Sequence, residues 1–128
     1  LFSNIECYHF GTVDAGLLTI EGKLVKGVKM EDAEKAVEEE LDKIKSETIS
    51  EAELQKVKNK TESQMAFEDM SLMNRANSLA FYELLGDASL INSELDRYNK
   101  VTAEDIRSLS NEIFREENSN TLYYYAQQ

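Results

Sequence analysis

At Gly27 the apolar residues change period, from alternation before it to helical spacing after it. Residues 4 to 10 and 17 to 25 read as two strands, and "GTVDAG" between them, with glycine at both ends and an aspartate inside, is hairpin chemistry. Alternation puts Leu18, Ile20 and Leu24 on one face and Leu17, Thr19 and Glu21 on the wetter one. Beyond Gly27, Ala33, Val37, Leu41 and Ile44 recur at helical spacing and predict an amphipathic helix over Met30 to Ser46.

"SEAE", residues 50 to 53, is a capping box and starts a second helical stretch that runs to Leu85. That length exceeds an ordinary helix several-fold, so a break is expected at "FEDMS", with Asp69 capping a continuation that buries Leu72, Met73, Ala76, Leu79 and Ala80. Gly86 supplies a left-handed stop, and Asp87 caps a short helix over Ala88 to Tyr98. Thr102, with Asp105 three positions on, opens a last helix whose stripe is Ile106, Leu109 and Ile113. "TLYYYA" is then expected as a closing β segment with Leu122, Tyr124 and Ala126 on one face, and with one of the three tyrosine rings facing in and two out.

The fold class is therefore α+β, a mostly antiparallel sheet covered on one face by helices in the order β-β-α-α-α-α-β, counting the broken stretch from 50 to 85 once. With no proline and no low-complexity linker, residues 1 to 128 read as a single domain or the C-terminal part of one. Three strands leave long edges, which implies missing strands upstream or a partner chain.

A formal charge of −11 disfavours nucleic acid and anionic membrane surfaces and favours basic peptides or proteins. The acids of "MEDAEKAVEEELDKIKSE" interleave with Lys35, Lys43 and Lys45, as on a solvated helix face, which makes salt-sensitive recruitment of a basic partner a fallback role for that helix. One cysteine cannot form an internal disulfide, and no apolar run has the length of a membrane span.

"IECYHFG" holds the only cysteine and the only histidine, and strand alternation sets Cys7 and His9 on one face with Ile5, opposite Glu6, Tyr8 and Phe10. Zinc needs three or four protein ligands, so acids from elsewhere would have to complete any site there. A nucleophilic Cys-His pair needs a third orienting group, and none is indicated. Glycine-rich phosphate loops, His-x-x-Glu-His and Gly-x-Ser-x-Gly are absent, and Met65, Met70 and Met73 read as core filler. The residues themselves thus nominate no catalytic group and no metal ligand.

"DAGLLTIEGKL", "GVKMEDAEKAVEEELDKIKSETISEAELQKVKNK", "GDASL", "VTAEDI" and "ENSNTLYYYA", in that order, resemble the C-terminal domain of the insulinase and mitochondrial-processing-peptidase family of zinc metallopeptidases, and bacterial zinc proteases of that family in particular. The resemblance covers nearly the whole chain and implies a layered α+β domain without the zinc motif. It implies that zinc is held in a preceding domain of the parent protein, that this stretch alone is inactive, and that its partners are the N-terminal catalytic domain or a homologous half and a peptide or unfolded protein substrate. A homodimer stays open. In the family this domain forms one wall of a closed chamber, where an arginine and a tyrosine near its start hold the substrate. Tyr8 is the tyrosine near that position, and the arginine position falls before Leu1. The alternative is a catalytically inactive relative serving as a structural or peptide-binding subunit. Bacterial relatives point to the periplasm or cell envelope.

Overall fold

The computed structural model describes residues 1–12 and 14–125. They form two compact units, one of Leu1–Ser46 with the chain from Ser110 onward, the other of Glu47–Leu109.

In the first unit, β1 (Phe2–Phe10) pairs antiparallel with β2 (Leu17–Leu24), with Cys7 opposite Ile20 and Phe10 opposite Leu17. A bulge between Phe2 and Asn4 leaves Ser3 extra, and its hydroxyl donates to the Lys23 carbonyl at 3.0 Å. The hairpin then turns at Val25–Val28, where Val28 N–H donates to the Val25 carbonyl and Gly27 takes φ +92°, the conformation a type II turn requires at its third position.

α1 (Met30–Ser46) follows with the expected stripe: Ala33 is buried and Val37, Leu41 and Ile44 are half-buried. Glu31 and Asp32 in its first turn and Lys43 and Lys45 in its last complement the helix dipole. Its C-terminal end is tied to the returning chain, since Asn111 Nδ2 donates to the Lys45 carbonyl at 2.8 Å and Lys45 Nζ to the Phe114 carbonyl at 3.4 Å.

The second unit opens with α2 (Glu51–Glu68), N-capped by Ser50, whose hydroxyl accepts from Glu53 N–H at 3.2 Å. The break falls inside "FEDMS", but Asp69 does not cap the next helix. Its backbone is still helical and its N–H donates to the Met65 carbonyl, so it ends α2. The extended residue is Ser71, whose hydroxyl accepts from Asn74 N–H and caps α3 (Leu72–Leu84).

The apolar stripe expected to be buried on α3 is exposed, with Leu72 at 80% and Met73 at 69% of full exposure. The helix packs on the 3-10 turn Ala88–Ser93, and Ser78 and Tyr82 are among its covered residues. α3 ends as a Schellman motif: Gly86 N–H donates to the Glu83 carbonyl and Asp87 N–H to the Tyr82 carbonyl, with Gly86 at φ +107°. Asp87 then caps the 3-10 turn through Ser89 N–H at 2.8 Å, and α4 (Glu94–Lys100) continues from it.

α5 (Ala103–Ile113) begins with a complete capping box, in which Thr102 Oγ1 accepts from Asp105 N–H at 3.1 Å and Asp105 Oδ2 accepts from Thr102 N–H at 2.9 Å. Ser110 is its buried residue, while Leu109 and Ile113 stay exposed.

The α+β class with an antiparallel sheet is what the structure shows. The closing strand is not formed over Thr121–Tyr125, and Ala126 lies outside the described residues. A strand needs a ladder partner, and none of the described strands supplies one there. The alternation expected of the tyrosines fails with the strand: Tyr123 is half-buried, but Tyr125 two positions on is exposed together with Tyr124 and Leu122. No helix among the described residues is long and apolar enough to cross a membrane.

Candidate functional site

The hairpin positions Tyr8. It lies opposite Thr19, two pairs from the Phe10–Leu17 end of the ladder, and its hydroxyl donates to Glu21 Oε2 at 3.5 Å on the diagonal. Its ring is 41% exposed, so the phenol is available to a ligand rather than committed to a core. On the same face Glu6 stands directly opposite Glu21, and Asn4 Nδ2 donates to Glu6 Oε1 at 2.9 Å. Like charges directly opposed across a ladder repel, and both of these hydrogen-bond donors are neutral.

Cys7 and His9 share the opposite face, as alternation requires. Cys7 is an exposed free thiol opposite Ile20, and His9 is opposite Leu18. The imidazole lies over Gly16, so closely that a Cβ built there would sit 2.5 Å from His9 Nε2. Among the described residues no group of three or more His, Cys, Asp or Glu side chains is placed to hold a metal ion.

Two features were beyond reach of local sequence patterns. The first is a polar cavity of about 250 Å³ in the second unit, lined by Thr61, Met65, Glu68, Asn74, Glu94 and Tyr98 among others. Beside it, burial first and then the hydrogen bond to Glu94 push the Tyr82 hydroxyl up to about 12. The second is the hydrogen bond from the Tyr123 hydroxyl to the Glu34 carboxylate in the first unit.

No protein-family model and no curated protein matches the chain. Among solved structures it is similar to a protease from Helicobacter pylori, with a TM-score of 0.81 at 23% identity. The match covers 92% of this chain and 29% of that one, so the chain spans less than a third of the protease it resembles. Identity at this level establishes a shared fold.

Proposed function

We propose that the chain is the C-terminal, non-catalytic domain of a zinc metalloendopeptidase of the insulinase and mitochondrial-processing-peptidase type, forming a wall of the substrate chamber and a surface for domain pairing. The observation that carries this reading is the fold shared, over 92% of the chain, with a protease. The ordered motifs from "DAGLLTIEGKL" to "ENSNTLYYYA" support the same family. In this reading zinc and the water-activating glutamate belong to the preceding domain of the parent protein, as the family resemblance implies. Tyr8, exposed on β1 toward the hairpin turn, is the residue that faces the substrate.

The test compares peptide hydrolysis by this chain alone with hydrolysis by its intact parent. The expected result is activity in the parent, abolished by chelation, and none in the isolated chain. Hydrolysis by the chain alone overturns the non-catalytic assignment. A parent lacking both His-x-x-Glu-His and activity makes the domain a structural or binding subunit instead.

A further inference from the structure

We propose that Ser71 is a one-residue hinge, and that rotation about its ψ joins α2 and α3 into one continuous helix from Glu51 to Leu84 and opens the polar cavity between α2 and the chain that follows it. The inference concerns the second unit alone and stands independently of the peptidase reading.

The break rests on very little of the backbone. From Glu51 to Leu85 the chain has no glycine and no proline, the residues that ordinarily force a sharp bend. Asp69 keeps helical angles, φ −66° and ψ −16°. Met70 N–H donates to the Phe67 carbonyl and Ser71 N–H to the Glu68 carbonyl, the tightened bonds of a helix's last turn. Ser71 has φ −85°, close to a helical value, but ψ 119°, which is extended, and its carbonyl already accepts from Arg75 N–H as the first bond of α3. The ψ of Ser71 is therefore the angle that separates the broken form from an unbroken one. Two contacts hold it. The Ser71 hydroxyl accepts from Asn74 N–H at 3.3 Å, and Asn74 Nδ2 donates at 3.3 Å to the Glu68 carbonyl, the acceptor that Leu72 N–H would take in a continuous helix.

The sequence supports both forms. Leu54, Thr61, Met65, Leu72, Ala76 and Leu79 fall within about 40° of one line along a continuous helix, so the stripe runs through the break without a change of phase. In the broken form that stripe is covered before the break, where Leu54 is buried and Met65 half-buried, and bare after it, where Leu72 is 80% exposed. The covered side of α3 packs on the 3-10 turn Ala88–Ser93, which can therefore travel with the helix. What rotation gives up lies between α2 and α4. It is the bond from Lys58 Nζ to the Asn99 carbonyl at 2.8 Å, and the shared walls of the cavity of about 250 Å³, where Thr61, Met65 and Glu68 of α2 face Asn74, Glu94 and Tyr98. A cavity adds little cohesion, because the atoms lining it lack partners across the gap. Two arrangements of one sequence that differ by a few hydrogen bonds make a two-state hinge.

The experiment is double electron–electron resonance on the full chain, with nitroxide labels at Lys56→Cys and Leu84→Cys, both exposed positions, in a Cys7→Ser background. Along a continuous helix these positions stand about 42 Å apart, and in the broken form they are closer. With the native hinge a dominant short distance and a minor long one are expected. Ser71→Ala removes the cap and adds helix propensity, and should raise the ratio of long to short about five- to tenfold. Ser71→Asp keeps a capping side chain and should leave the ratio within about twofold. Asn74→Ala, which frees the Glu68 carbonyl, should raise it by a smaller factor than Ser71→Ala. A single short distance in every variant, a long component that none of them moves, or one that grows equally with Ser71→Asp and Ser71→Ala overturns the proposal. Should Ser71→Ala fail to fold by circular dichroism, Asn74→Ala, which keeps the serine cap, decides.

Discussion

Tyr123 donates its phenolic hydrogen to the carboxylate of Glu34, which lies 89 positions earlier on α1. The bond holds the Glu34 carboxyl below its ordinary value, with Tyr123 the larger cause and Thr121 the second, and it pushes the Tyr123 hydroxyl up to about 12. It is the contact by which the returning chain reaches the acidic side of α1.

The pH dependence of this latch follows from both partners. Glu34 is depressed when folded, so its contribution is present above the ordinary value of 4.5 and disappears as pH falls through the folded value. Tyr123 is raised, so its contribution is complete below 10.0 and disappears as pH climbs toward about 12. The latch thus contributes fully from about pH 4.5 to 10, and it opens as pH falls through the folded value of Glu34 or climbs toward about 12. Amide hydrogen exchange of residues 119 to 125 should rise outside that window in the unaltered chain and be raised at neutral pH in Tyr123→Phe. Exchange that ignores both changes removes the latch.

Spectrophotometric titration should find Tyr82 and Tyr123 both ionising near 12, for different reasons. Burial leads at Tyr82 and the carboxylate of Glu34 leads at Tyr123. Glu34→Gln is therefore expected to bring one late step down toward the ordinary phenol range and leave the other in place. If both steps move together, the two tyrosines are not independent.

Thr102 and Asp105 bond reciprocally at the start of α5. Thr102→Ala is expected to cost about 1 kcal/mol, with Thr102→Ser restoring most of it. Urea unfolding followed by circular dichroism reads both.

Those caps were legible in the sequence because they are local: Ser50, Thr102 and Gly86 act on residues within five positions of themselves. The stripe of α1 was legible for the same reason, as one face of one helix. Asp69 misled because two capping residues stand two apart in "FEDMS", and which one is extended depends on where α2 stops. Leu72 and Met73 misled because apolar spacing names a face but not the element that covers it, and α3 packs elsewhere. The latch and the cavity bring distant residues together, to which no period in the sequence points, and the β-rich pattern of "TLYYYA" misled because it does not say whether a ladder partner is there. Tyr8 came from the family resemblance, and its place opposite Thr19 is a property of the register.

Gly86→Ala tests backbone strain without a steric clash. A Cβ there meets no atom within 4 Å, so the whole cost is that of φ +107° for an alanine. That is roughly 1–2 kcal/mol, visible as a lower urea midpoint with an unchanged slope. A midpoint equal to that of the unaltered chain removes the Schellman stop as a determinant of α3.

Gly16 and Gly22 separate two kinds of crowding in the hairpin. At Gly16 an added Cβ would stand 2.7 Å from the Phe10 carbonyl oxygen as well as 2.5 Å from His9 Nε2, and the carbonyl belongs to the ladder's own backbone. At Gly22 the close atoms, at 2.6 Å and 2.8 Å, are all on the Phe2 ring, a side chain near the chain end that can swing aside. Gly16→Ala should therefore distort pairing at Phe10–Leu17 and cost about 1–3 kcal/mol, while Gly22→Ala should cost less. Equal destabilisation by the two substitutions would mean that the Phe2 ring is as fixed as the backbone, and the hairpin would then have a packed face where the register now shows an open one.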